Sequence, residues 1–138
     1  MLLLEQLLAA GALFVAAHFA MGYLNPSAGG SGGTLLFPYA TNAPTRWLFG
    51  SLERGPLALL IPILIGLAGI AVLAFFLALL AIFGLWVPVA WWSSLVLVGV
   101  ASSTVVLVLH PSPWIVVPLL VNAVLAWVVL TSVWTPSA

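Results

Sequence analysis

Residues 55–138 read GPLALLIPILIGLAGIAVLAFFLALLAIFGLWVPVAWWSSLVLVGVASSTVVLVLHPSPWIVVPLLVNAVLAWVVLTSVWTPSA. Between Gly55 and Ala138 there is no Asp, Glu, Lys or Arg. A soluble domain needs surface charge, so a run this long without any cannot be one. It also exceeds, several times over, the roughly 20 apolar residues that cross a bilayer once. The breaks within it mark where the chain turns. Phe83-Gly84-Leu85-Trp86-Val87-Pro88 is one and His110-Pro111-Ser112-Pro113 is another, which leaves three membrane helices in this stretch.

Working outward, Met1 to Tyr23 supplies a further span. It lacks the positive n-region of a secretory signal and its apolar run is too long for one, so it is expected to stay as a helix. Glu5 falls in its first turn, where a helix N-terminus favours negative charge. Asn25-Pro26 stops that helix. The Gly/Ser run Ser27 to Gly33 is linker-like, and its glycine spacing is not that of a phosphate loop. Leu35 to Tyr39 is too short to span. Thr45 to Arg54 has the Arg, Trp and Phe mixture of a short helix lying in the interface.

The expected architecture is therefore all-α, a single integral membrane four-helix bundle. Its helices run over about 2–24, 57–83, 89–110 and 114–134, with one long loop at 25–56. Pro62 falls in the first turns of the second span. Pro118 falls inside the fourth and would free the carbonyl of Trp114, with a local distortion. Gly66 and Gly69, and the pair Gly99 and Ser103, are small positions suited to close helix approach. Trp86, Trp91, Trp92 and Trp134 make one aromatic belt, and Tyr23, Tyr39, Trp47 and Trp114 the other, which sets both termini on one side.

Composition narrows function by exclusion. The 138 residues are 65% hydrophobic and 3% charged, with zero formal net charge and a mean hydropathy of +1.37. Two arginines cannot neutralise a run of phosphates, so nucleic acid is not a partner. Without cysteine there is no disulfide, thiolate or iron–sulfur chemistry. Two histidines give too few ligands for zinc. Ser93, Ser94, Ser102, Ser103 and Thr104 have no placed base, so no catalytic residue is assigned and an enzyme is not the expectation.

His18 and His110 remain, both on the loop side. His18 is expected roughly 8–10 Å below that interface by helix rise, with Asn122 at a similar depth on the fourth span. An ionisable group there is a functional candidate by default. It would serve as an axial ligand to haem or chlorophyll, a hydrogen bond to quinone, or a proton relay. The structural reading pairs His18 with Asn122, a loop carbonyl or a neighbouring subunit. Ala16, Ala17 and Ala20 leave room beside it for a flat ring. His110 sits at a helix end, where a capping His is ordinary. Arg46, Trp47, Glu53, Arg54 and Trp114 are candidates for contact with a lipid or quinone head group or with a partner.

Leu57-Ala58-Leu59-Leu60-Ile61-Pro62, the turn Phe83 to Ala90 and the ending Pro113 to Ala123 together resemble the DoxX-like family of small four-helix membrane proteins. The resemblance covers about the last 80 residues. It implies a four-helix fold with cytoplasmic termini and a link to quinone redox chemistry. Where that family's first helix usually carries an Arg near its start and a Gly-Lys at its end, this chain has Glu5-Gln6 and Gly22-Tyr23, so no quinone-site residue is carried over. Both arginines lie in the first loop, and the positive-inside rule taken literally would place the termini outside. The expected place is the cell's inner membrane. Three roles follow. The first is an accessory subunit of a larger membrane complex, respiratory or photosynthetic, with other transmembrane subunits and lipid as partners. The second is a quinone-linked component using His18, Asn122 and the Arg46–Arg54 region. The third is a small-molecule carrier, ranked last because the spans show no duplicated halves.

Overall fold

The computed structural model describes residues 2–24, 46–47, 50–51, 60–109 and 115–136. Four α-helices dominate: α1 (Leu2–Met21), α2 (Leu60–Ile82), α3 (Trp92–Leu109) and α4 (Val116–Thr131). A 3-10 turn, Val89–Trp91, leads into α3. Three stretches, Leu3–Met21, Pro62–Ile82 and Val89–Leu109, are long and apolar enough to cross a membrane, while Val116–Thr131 is a shorter apolar helix. The protein is a membrane-embedded all-α bundle.

Where a short helix was expected over Thr45 to Arg54, Arg46–Trp47 (β1) instead pairs antiparallel with Gly50–Ser51 (β2). The Gly at position 50 lowers helix preference, and a two-residue ladder needs only the hydrogen bonds of a reversal.

Helix neighbours form a ring. α2 packs most extensively on α3, then on α1; α4 closes the ring against α3 and α1. One core cluster joins Leu13, Phe75, Ile82, Trp92, Val96 and Leu125, with Trp134 against it. A smaller one, Leu64, Ala68 and Val106, packs with Tyr23 and Leu109 at the other end. The start of α3 therefore lies beside the end of α2 and the end of α4, which is an up-down-up-down bundle.

The buried positions explain how the helices fit. On α2 they are Leu64, Ala68, Ala71, Phe75, Ala78 and Ile82. On α3 they include Trp92, Val96, Gly99, Ser103 and Val106. Both series advance in alternating steps of four and three. Leu13, Ala16 and Ala20 on α1 and Pro118, Asn122 and Leu125 on α4 step in the same way. A mean step of 3.5 residues is the seam of a left-handed supercoil with knobs-into-holes packing. Ala74 and Ala81, next to Phe75 and Ile82, are also buried and widen the α2 seam. On α2 the seam is rich in alanine, with Ala68, Ala71, Ala74, Ala78 and Ala81 inside, while the large Ile70, Leu73 and Phe76 face outward. That inversion of a soluble core is expected where lipid is as apolar as the interior, so that close packing drives association.

Gly99 is the tightest point. A Cβ built there would lie 2.7 Å from Cδ1 and Cε1 of Phe75 and 3.0 Å from Cζ. The Phe75 ring occupies the notch that the missing side chain leaves, as the pairing with Ser103 anticipates. Gly66 does not act in this way. It faces outward, with nothing within 4 Å of a built Cβ, whereas Gly69 meets Leu24 at 3.8 Å.

Both helix prolines sit in first turns. Pro62 is the third residue of α2 and Pro118 the third of α4. The first N–H groups of a helix have no intrahelical acceptor, so neither proline removes an interior bond. Pro118 was expected inside a helix starting at about 114; α4 begins at Val116 instead, with Leu119 N donating to Ile115 O at 3.1 Å. The expected distortion at Trp114 lies outside the described residues. α4 also ends early. Ser132 takes a left-handed conformation, φ 51°, and its N–H caps Val129 O. The chain then folds back, so that Pro136 is buried and Trp134 meets Trp92 edge to face at 5.3 Å and 83°.

Candidate functional site: a polar cluster in the α1–α3–α4 seam

Among the described residues the seam carries a polar cluster. Asn122 of α4 is buried, and its side-chain amide donates both hydrogens into α3. One goes to Ser103 Oγ at 2.7 Å and the other to Thr104 Oγ1 at 3.0 Å. Ser103 Oγ in turn donates to Val100 O at 3.3 Å, one turn back on its own helix. Two elements position these groups. Asn122 follows Pro118 by one turn on the α4 seam, and Ser103 follows Gly99 by one turn on the α3 seam. In hydrocarbon an unpaired amide is costly, and these two bonds satisfy both N–H donors of Asn122.

A cavity of about 10 Å³ adjoins the cluster, lined by Ala16, Ala20, Tyr23, Ser103, Pro118 and Asn122 among others. That is about the room one water needs. Small-molecule sites are typically some 300–1,000 Å³, so this void is shaped for solvent and not for a ring system.

His18 lies elsewhere. It is in the last turn of α1 and half-buried, stacked on Phe14 with ring centroids 6.3 Å apart and 17° between planes. At about 100° per residue, the Phe14 and His18 flank is turned away from the Leu13, Ala16 and Ala20 seam that faces the cavity. The structure thus places His18 and Asn122 on different flanks of the bundle. His18 also sits nearer its helix end than expected, since Met21 closes α1. His110, Glu53, Arg54 and Trp114 lie outside the described residues. Arg46 and Trp47 are described only as backbone in β1.

Two of the belt tryptophans take other roles. Trp92 is 2% exposed and belongs to the core, and its indole N–H has no hydrogen-bond acceptor. Trp134 packs on it. Trp86 and Trp91 are exposed at that end. The partnership of Ser103 and Thr104 with Asn122 was not foreseen, although a signal existed. Ser103 lies six residues before the end of α3 and Asn122 six after the start of α4, so antiparallel helices place them at one depth.

These features define a membrane-embedded four-helix bundle with an Asn122–Ser103–Thr104 polar cluster between α3 and α4. No protein-family model, curated protein or solved structure matches the chain.

Proposed function

We propose that the protein is an accessory, structural subunit of a larger membrane complex, of the respiratory or photosynthetic electron-transfer kind. It would sit in the inner membrane with both termini cytoplasmic. The observation that carries the reading is the contrast between inside and outside. The amide donors of Asn122 are spent on Ser103 and Thr104 beside a water-sized void. What the chain offers outward is apolar helix surface. Only 17% of the α1 apolar window is buried, against 33% for α2 and 39% for α3. Of these three helices α1 keeps the most surface for lipid or for neighbouring transmembrane subunits, and His18 and Phe14 stand on its outward flank.

The DoxX-like, quinone-linked alternative draws less support, because it asks His18 and Asn122 to share a head-group pocket and they occupy different flanks. The test is a mild-detergent pull-down of the tagged protein, with a visible spectrum and mass identification of what accompanies it. Stable transmembrane partners are expected, and His18→Ala at most loosens their assembly. A solitary, colourless protein that retains quinone, and loses it in His18→Leu, would replace this reading with the alternative.

A further inference from the structure

The hairpin between α2 and α3 holds a residue in a conformation its side chain disfavours. Trp86 has φ 59°, in the left-handed region that a bulky residue rarely enters. Gly84, two residues earlier, has φ 63°, but a glycine adopts it freely. Val87 N donates to Leu85 O at 2.7 Å, closing a three-residue ring around Trp86. With positive φ at its centre, that γ-turn is the rare and strained form. Contacts within the bundle do not offset the strain, because Trp86 is 97% exposed. Its surroundings are apolar: Phe83, Leu85 and Trp91 are exposed beside it. The same turn sends Trp92 inward to the core, so it sorts neighbouring indoles between two environments.

We propose that Trp86 is an interfacial anchor, its indole seated in the boundary between head groups and acyl chains of the bilayer and fixing the depth of the bundle there. α2 ends at Ile82 and the next apolar window opens at Val89, so the turn stands where two spans leave the hydrocarbon. An indole has an apolar body and one N–H donor, which suits a layer that is apolar on one side and rich in ester and phosphate oxygens on the other. The turn carries no charge that would hold it in water. The outward apolar faces of α2 and α3 run straight into it, so the surface in contact with lipid continues onto Trp86. A strained residue that is fully exposed points to a role for its side chain outside the bundle.

The test uses the full chain in phosphatidylcholine vesicles, wild type against Trp86→Phe. Subtracting the two emission spectra isolates Trp86 from the other six tryptophans, which both proteins share. Vesicles are made with bromines near the head-group end of the acyl chains, or near the chain ends, and acrylamide is added from the water. The anchor predicts a blue-shifted difference signal, quenched most by the shallow bromines and little by acrylamide. Free quenching by acrylamide with none from bromolipid would place Trp86 in water and overturn the proposal. So would strongest quenching by the deep bromines. A difference signal that no quencher reaches would mean that protein covers Trp86, and would also overturn it.

Discussion

Gly99→Ala should loosen the bundle although it adds only a methyl group. That methyl would lie 2.7 Å from two carbons of the Phe75 ring and 3.0 Å from a third. Carbon atoms settle at about 3.5–4.0 Å, so the ring or the helix must give by roughly 1 Å. Phe75 has no slack. It is fully buried on α2, with Ala71 and Ala78 buried one turn to either side. Overpacking of this kind costs about 1–3 kcal/mol. The better helix propensity of alanine does little to offset it, because membrane helices remain helical when they come apart, so the gain of about 1 kcal/mol appears in both states. The expected loss is therefore about 1–3 kcal/mol, read as an earlier midpoint when SDS is titrated into the detergent-solubilised protein and helix contacts are followed by tryptophan emission. Phe75→Leu clears the ring from the notch. In the double variant Gly99→Ala, Phe75→Leu the alanine should cost much less than it does alone, giving a coupling of about 1 kcal/mol or more. If Gly99→Ala left the midpoint unchanged or raised it, or if the two changes simply added, the close approach of α2 and α3 at Gly99 would be refuted.

Asn122→Leu should cost only about 1 kcal/mol in the same titration, since hydrogen bonds between membrane helices are individually modest. Ser103 already has Val100 O to return to; a loss of several kcal/mol would mean that the cluster does more than hold α4 to α3. Trp134→Ala removes the edge-to-face partner of Trp92 and should cost about 1 kcal/mol. It should also red-shift the emission of Trp92 as water reaches it; unchanged emission would show that the returning tail does not cover that end. The hairpin offers a paired test. Gly84→Ala forces a Cβ into the left-handed region and should lose about 1–2 kcal/mol, whereas Trp86→Gly relieves the same strain and should gain a similar amount in detergent. Equal effects of the two on thermal unfolding would contradict the positive φ values at both positions.

The sequence by itself determined the solvent. The absence of charge from Gly55 to Ala138 fixed the class, and Phe83 to Pro88 and His110 to Pro113 marked the breaks between spans, because turns need residues that helices tolerate badly. The small pair Gly99 and Ser103 was legible too, since only small side chains let backbones approach. The facing of each helix was not legible. In water, polarity separates the buried face from the exposed one; here Leu73, which is exposed, and Phe75, which is buried, are equally apolar. The seam of alternating four- and three-residue steps emerges only when Ala68, Ala71, Ala78 and Gly99 are seen to be inside. For the same reason Trp92 read as a belt residue although it is core, and the pairing of Asn122 with Ser103 and Thr104 was not legible. An early end to α4 at Thr131 has no proline or glycine to announce it; the left-handed Ser132 and the packing of Trp134 on Trp92 set it. Hydropathy tells a chain which solvent to enter, but between two equally apolar surroundings only the fit of shapes and the pairing of a few polar groups choose which side of each helix faces in.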